Sequence, residues 1–301
     1  MDTHHMTEIF EGDKHGDSHE EILQIALLIH PSVDCALISQ AHEDLTRIYS
    51  GTFPGFRLSS PKYHNLRHAR LVALAAVRLF HGLWCEGKTF SPETVTQGLL
   101  SAFFHDTGML LTDSDTALTG SEYFKYHEER SVTFVQKYIE SSTIPTFYAG
   151  NCALIIRCTD LNRDPRTFAF PSEEIRLAGQ VVGSADILAQ MADRYYLECL
   201  PLLFQEQKDG DAHKHDSPLE LMQRTAQFYH TTITERLQIV FDDISRAMYS
   251  HFRERWNIEG DFYSDSIRKN VAYLETIIAR CKSEQDCLKR HLRRTPPAHS
   301  S

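Results

Sequence analysis

Between residues 63 and 86, apolar side chains recur at Leu66, Ala69, Val72, Ala73, Ala76, Leu79, Phe80 and Leu83. This spacing of three and four places them on one face of an α-helix. Similar spacing returns along most of the chain, and the alternation that marks a strand is nearly absent. The pattern dictates an all-α fold with no internal repeat. The 301 residues, 42% of them apolar, suffice to bury a large core in one helical domain with an added subdomain.

Proline, glycine and capping residues divide the chain. Residues 1–18 are polar, contain Gly12 and Gly16, and read as a flexible lead. Helices are expected at 19–30, ended by Pro31, and at 33–50, followed by Gly51. A loop holding Gly51, Pro54, Gly55 and Pro61 then leads to the helix over 63–86. Ser91-Pro92-Glu93 marks an N-cap with proline at the first helical position. That helix runs into His105-Asp106, with Gly108 as its end. An acidic loop over 111–121 precedes helices at about 122–141, 146–161 and 172–206, so the main domain spans 19–206. Residues 207–218 read as a surface linker, whose His213-Lys214-His215 cluster could bind metal but reads first as solvated loop histidines. Helices near 218–256 and 261–284 follow. The segment 219–284 is expected to pack on the main domain through Leu219, Leu221, Phe228, Ile233, Leu237, Val240 and Ile244, and to supply no metal ligand. Residues 285–301 read as a polar tail.

The net charge of −10 argues against a protein that grips a nucleic-acid polymer by its phosphates, because no basic stripe is present. Arg290, Arg293 and Arg294 form only a small basic tail. The seven cysteines include no Cys-x-x-Cys pair, and their scatter reads as reduced thiols in a cytoplasmic protein. No apolar run approaches the roughly 20 residues that span a bilayer, so no membrane partner is expected. Oligomeric state is not encoded in any of these features.

The residues that carry chemistry are few. His105-Asp106 follows an apolar run, where two unpaired polar groups would be costly. His64 and His68 are four apart, so on a helix they share one face. Asp186 lies far downstream in another apolar helix. Two histidines, a His-Asp doublet and a distant aspartate form a nitrogen and oxygen donor set suited to a divalent metal.

The ordered set Tyr63-His64-Asn65-x-x-His68-Ala69, Phe104-His105-Asp106 and Ala185-Asp186 resembles the HD-domain metal-dependent phosphohydrolase superfamily. The first stretch is most similar to the cyclic-nucleotide phosphodiesterase branch, and the likeness covers about residues 45–205. Cys158-Thr159-Asp160 and Tyr126-His127-Glu128-Glu129-Arg130-Ser131 echo it more weakly. The resemblance implies an HD-domain helical bundle with additional C-terminal helices. It implies that His68, His105, Asp106 and Asp186 ligate a first metal, and that His64 protonates the leaving oxygen. The chain departs from the branch at Met109, which stands where a further histidine is usual.

The expected function is a metal-dependent phosphohydrolase or phosphodiesterase. It would hydrolyse a small, nucleotide-like phosphate ester with metal-activated water. One or two divalent ions, Mn, Mg, Fe or Zn, would serve. Asp106 is the natural bridging carboxylate, and His127 and Glu128 could reach a second metal, although Glu128 and Glu129 equally suit a helix N-terminus. Asp160 could orient a ligand histidine or simply end its helix. Arg67 and Arg70 could meet a phosphate or face solvent. Asp193 and Arg194 are assigned no chemistry. The rival functions are a di-iron oxygenase on the same scaffold and a domain that senses a nucleotide without cleaving it. A zinc protease needs Glu directly after the first histidine, and Asn65 stands there.

Overall fold

The computed structural model describes residues 18–59, 61–210, 212, 215–281 and 285–296. Its α-helices are α1 (Ser18–Ile29), α2 (Cys35–Tyr49), α3 (Leu66–Cys85), α4 (Pro92–Phe104), α5 (His127–Glu140), α6 (Phe147–Arg157), α7 (Glu173–Ala192), α8 (Tyr196–Asp209), α9 (Pro218–Phe228), α10 (Ala247–Trp256), α11 (Phe262–Cys281) and α12 (Gln285–His291). Among the described residues there is no strand, only an isolated bridge between Phe56 and Thr112. The fold class is all-α. No helix among the described residues is long and apolar enough to cross a membrane.

The core is built around α3. Every residue from Val72 to Leu83 is buried, so this helix is enclosed on all sides rather than on one face. It packs against α1, α4, α7 and α10. Small residues permit this crowding: a Cβ on Gly82 would lie 1.9 Å from the Ala247 carbonyl oxygen of α10. Each large apolar side chain enclosed here, such as Leu79 or Phe80, contributes about 1.5–3 kcal/mol. The one buried cation of the run, Arg78, donates to the Tyr263 hydroxyl at 3.2 Å and lies over the Phe252 ring.

Several element boundaries differ from the sequence expectation. The helix expected from residue 63 begins at Leu66, because the Asn65 side chain caps it by accepting the His68 N–H. His64 therefore lies outside the helix that carries His68. Gly108 does not end α4 as a left-handed cap. The helix stops at Phe104, and Gly108 sits in a 3-10 turn where a Cβ would lie 1.9 Å from the His127 carbonyl oxygen. The expected helix 172–206 is two helices, broken at Asp193, whose carboxylate accepts the Tyr195 N–H and the Arg67 guanidinium.

The expected helix 218–256 is also interrupted. π-helical turns at Tyr229–Ile233 and Arg236–Val240 and a 3-10 turn at Ile244–Arg246 separate α9 from α10. Asp242 and Asp243 are both left-handed, with φ of 53° and 56°, and turn the chain there. Leu219, Leu221, Ile233, Leu237, Val240 and Ile244 are buried, but Phe228, the last residue of α9 before the π-helical turn, is 40% exposed. α10 and α11 pack on α3 and α7 respectively.

The polar tail contains a helix, α12, with Cys287 and Leu288 buried. Cys287 is bonded to Cys281, which corrects the expectation that all seven cysteines are reduced thiols. The expected linker begins inside α8, which continues to Asp209. Of the expected lead over 1–18, Ser18 is buried and opens α1, while residues 1–17, His213, Lys214 and the last five residues lie outside the described residues.

Candidate metal centre

Each side chain of the site is delivered by a helix or the end of one. His68 lies in the first turn of α3, and His105 and Asp106 follow the carbonyl end of α4, where partial negative charge favours a cation. Asp186 lies within α7, and His127 opens α5. Because α3, α4 and α7 pack on one another, residues distant in sequence share one buried space.

His68, His105, Asp106 and Asp186 are brought together. Nε2 of His68 stands 3.1 Å from Oδ1 of Asp186 and 3.4 Å from Oδ2 of Asp106. Nε2 of His105 stands 3.2 Å from the same Asp106 oxygen and 3.7 Å from the same Asp186 oxygen. Two atoms that each lie about 2.0–2.2 Å from one cation are about 2.8–3.6 Å apart, depending on whether they subtend a right or a tetrahedral angle. The observed separations fall in that range or just above it.

Nε2 of His105 and Oδ2 of Asp106 are buried and make no hydrogen bond, even with each other. Without a cation these two atoms are held only by their mutual charge, and a shared cation would give each a directed partner. Nδ1 of His105 donates to the Ala102 carbonyl at 2.9 Å, so in the neutral ring Nε2 presents its lone pair to the acids. His68, His105 and Asp106 form a group that can hold a metal ion, and Asp186 borders it beside His68.

A second group adjoins the first through Asp106. His64, Asp106 and His127 offer ligand atoms within 4.8 Å of one another. Nε2 of His127 stands 3.4 Å from Oδ1 of Asp106, while its Nδ1 donates to the Phe124 carbonyl at 2.8 Å. Asp106 thus turns one oxygen to His68 and His105 and the other to His127. Glu128 does not join this group. Its Oε2 lies 3.3 Å from Nδ1 of His127, the ring nitrogen opposite the one that faces Asp106. Met109 is buried in the 3-10 turn, and His127, at the start of α5, stands beside Asp106.

Charge in the metal-free cluster is shared between imidazoles and carboxylates. Burial opposes the imidazolium of His105, but Asp106 and Asp186 outweigh it and hold its pKa well above the usual range. Burial likewise opposes charge on His127, yet Asp106 and Glu128 raise its pKa to about 9. Burial works against the carboxylate forms of Asp106 and Asp186. His105 and His64 nevertheless keep the first well below its usual range, and His105 and His68 depress the second.

His64 stands beside this cluster on a separate support. Its Nδ1 donates to Oε2 of Glu206 at 2.7 Å, and the other Glu206 oxygen accepts the Tyr63 N–H at 2.6 Å. Burial lowers the pKa of His64, but Asp106 and Glu206 together raise it above the ordinary imidazole value. Sequence reasoning missed Glu206. Its only local signal is that it follows Leu203 by three positions on α8 and so shares a side of the helix with it.

The remaining candidates have structural partners. Arg67 forks onto Asp193, and Arg70 donates to the Thr46 hydroxyl at 3.0 Å. The Arg194 guanidinium lies over the Tyr195 ring. Asp160 accepts the Asn162 N–H at 2.8 Å and pairs with Arg163, so it organises its own loop after α6.

No protein-family model matches this chain. No curated protein matches it in sequence. The chemistry open to the site follows from its own atoms. A buried nitrogen and oxygen donor set that can hold a metal ion adjoins a histidine held by a buried acid.

Proposed function

We propose that this chain is an HD-type, metal-dependent phosphohydrolase that cleaves a small, nucleotide-like phosphate ester. The observation that supports it most is the double role of Asp106, whose two oxygens face two histidine groups beside a histidine carried by Glu206. His68, His105, Asp106 and Asp186 would hold the first cation, and His127 with Asp106 would face a second. Such a cation, when bound, lowers the pKa of a coordinated water and withdraws charge from a phosphoryl oxygen.

His64 supplies the proton. Glu206 fixes the Nδ1 side of its ring, so Nε2 is the nitrogen that meets the leaving oxygen. The neighbouring acids keep the ring protonated above the usual imidazole pKa, as a general acid near neutral pH requires. Burial keeps bulk water from competing for that proton, as His64 is only 8% exposed.

Screening the Mn²⁺-loaded protein against nucleotides, cyclic nucleotides and an aryl phosphodiester tests the reading. Hydrolysis that His105→Ala abolishes is expected. No turnover of any phosphate ester by protein that has bound Mn²⁺ contradicts it. The nitrogen-rich, carboxylate-linked donor set also suits iron, which favours a di-iron oxygenase as the second reading. Oxygen consumption and visible-light absorption by iron-loaded protein would mark that alternative, but it leaves the Glu206–His64 pair without a task. A cytoplasmic setting belongs to the same proposal, and the Cys281–Cys287 bond is the observation that weighs against it.

A further inference from the structure

A second cluster of metal-ligating side chains stands apart from the His/Asp centre. Cys281 closes α11, whereas Cys287 and His291 lie on α12. Cys287 and His291 are four positions apart and so share one face of that helix. Both sulfurs and one ring nitrogen of His291 lie within 4.8 Å of one another. The cysteines are buried, at 1% and 5% exposure, and His291 is half-buried. In the structure the two sulfurs are bonded, with Cα atoms 5.3 Å apart. A disulfide occupies the two thiols but gives no role to the imidazole beside them. The other five cysteines are unbonded, and none of them joins a ligand group among the described residues.

We infer that Cys281, Cys287 and His291 form a redox-gated site for a thiophilic divalent cation of the zinc class, closed as a disulfide and open as a dithiol. A thiol reductant transfers two electrons to the sulfur–sulfur bond, which breaks. Two protons complete the pair of thiols, and the reductant leaves as its own disulfide. The cation then takes both sulfurs as thiolates, releasing those two protons, with neutral His291 as third ligand and water as the fourth. The centre around Asp106 contains no sulfur, so the two sites favour different cations. Both forms tie the end of α11 to α12. The chain beyond α12 reaches α8, the helix that carries Glu206: the Arg294 N–H bonds Glu198 at 3.2 Å, and the Arg294 guanidinium bonds the Arg194 carbonyl just before that helix.

Cobalt(II) distinguishes this site from the other, because only thiolate ligands give a sulfur-to-cobalt charge-transfer band. Anaerobic titration of the reduced full-length protein with Co²⁺ should produce that band at one equivalent. The band should be absent from Cys287→Ser and from protein left oxidised. It should persist in His291→Ala with affinity weakened tenfold or more. Denatured protein should show seven free thiols after reduction and five before it. Zn²⁺ should also protect Cys281 and Cys287 of the folded, reduced wild type from alkylation, which needs no substituted chain. A reduced protein with no thiolate band, a band unchanged in Cys287→Ser, or alkylation of both cysteines at the same rate with and without Zn²⁺ would overturn the inference.

Discussion

His64 and His68 lie four positions apart but have different surroundings, and substitution should separate their roles. His64→Ala should retain metal and lower turnover of an alkyl phosphodiester by about 10²–10⁴. The loss should shrink for an aryl ester, whose leaving group needs little protonation. His68→Ala should lose metal and activity together for every ester. Equal losses for alkyl and aryl esters in metal-retaining His64→Ala would contradict the acid role. Glu206→Gln removes one of the two acids that raise the His64 pKa, so the alkaline limb of the pH–rate profile should move to lower pH. An unmoved limb would show that Glu206 does not act through His64. At this scale the candidate ligands were legible because unpaired histidines and aspartates in apolar helices demand a partner. Glu206 was not, since its contact spans 142 positions and nothing in its local sequence encodes that reach.

At the scale of elements, the 3-10 turn after α4 sets the distance between the two histidine groups. A Cβ at Gly108 would lie 1.9 Å from the His127 carbonyl oxygen. Gly108→Ala should therefore push the start of α5, and His127 with it, away from Asp106. The expected outcome is loss of the second equivalent of Mn²⁺ with the first retained, measured by metal analysis. Two equivalents at unchanged affinity would show that the turn does not control the second group. Most helices could be read from the spacing of apolar residues and from caps such as Asn65 and Ser91, because those signals are local. The division between α7 and α8 could not, because it depends on Asp193 meeting Arg67 across 126 positions. Gly108 was misread for a related reason: a glycine required by a neighbouring helix looks in sequence like one that ends its own.

For the whole molecule, the charge balance of the metal centre links stability to pH. His127 has a folded pKa of about 9, above its unfolded value of about 6.5. Its contribution is fully present below pH 6.5 and is lost as pH rises through 9, up to about 3 kcal/mol. The depressed pKa of Asp106 acts at the other end. Its contribution is present above about pH 3.9 and disappears as pH falls through the lower folded value. Metal-free protein should therefore lose stability between pH 6.5 and 9. Cation binding should strengthen across the same window, because His127 and His105 must shed protons to act as ligands. The rise in Tm caused by Mn²⁺ should be larger at pH 9 than at pH 6, and a smaller rise at pH 9 would contradict this account of the charges. The all-α class was legible at this scale because every long segment carries the same helical period. The Cys281–Cys287 bond was not, since cysteine spacing alone does not show which sulfurs meet.

The most direct test of the central claim is anomalous diffraction from crystals grown with Mn²⁺. The expected peak lies within coordination distance of Nε2 of His68, Nε2 of His105, and the carboxylates of Asp106 and Asp186. A map with no peak there, or with Mn²⁺ bound only at other residues, would contradict it.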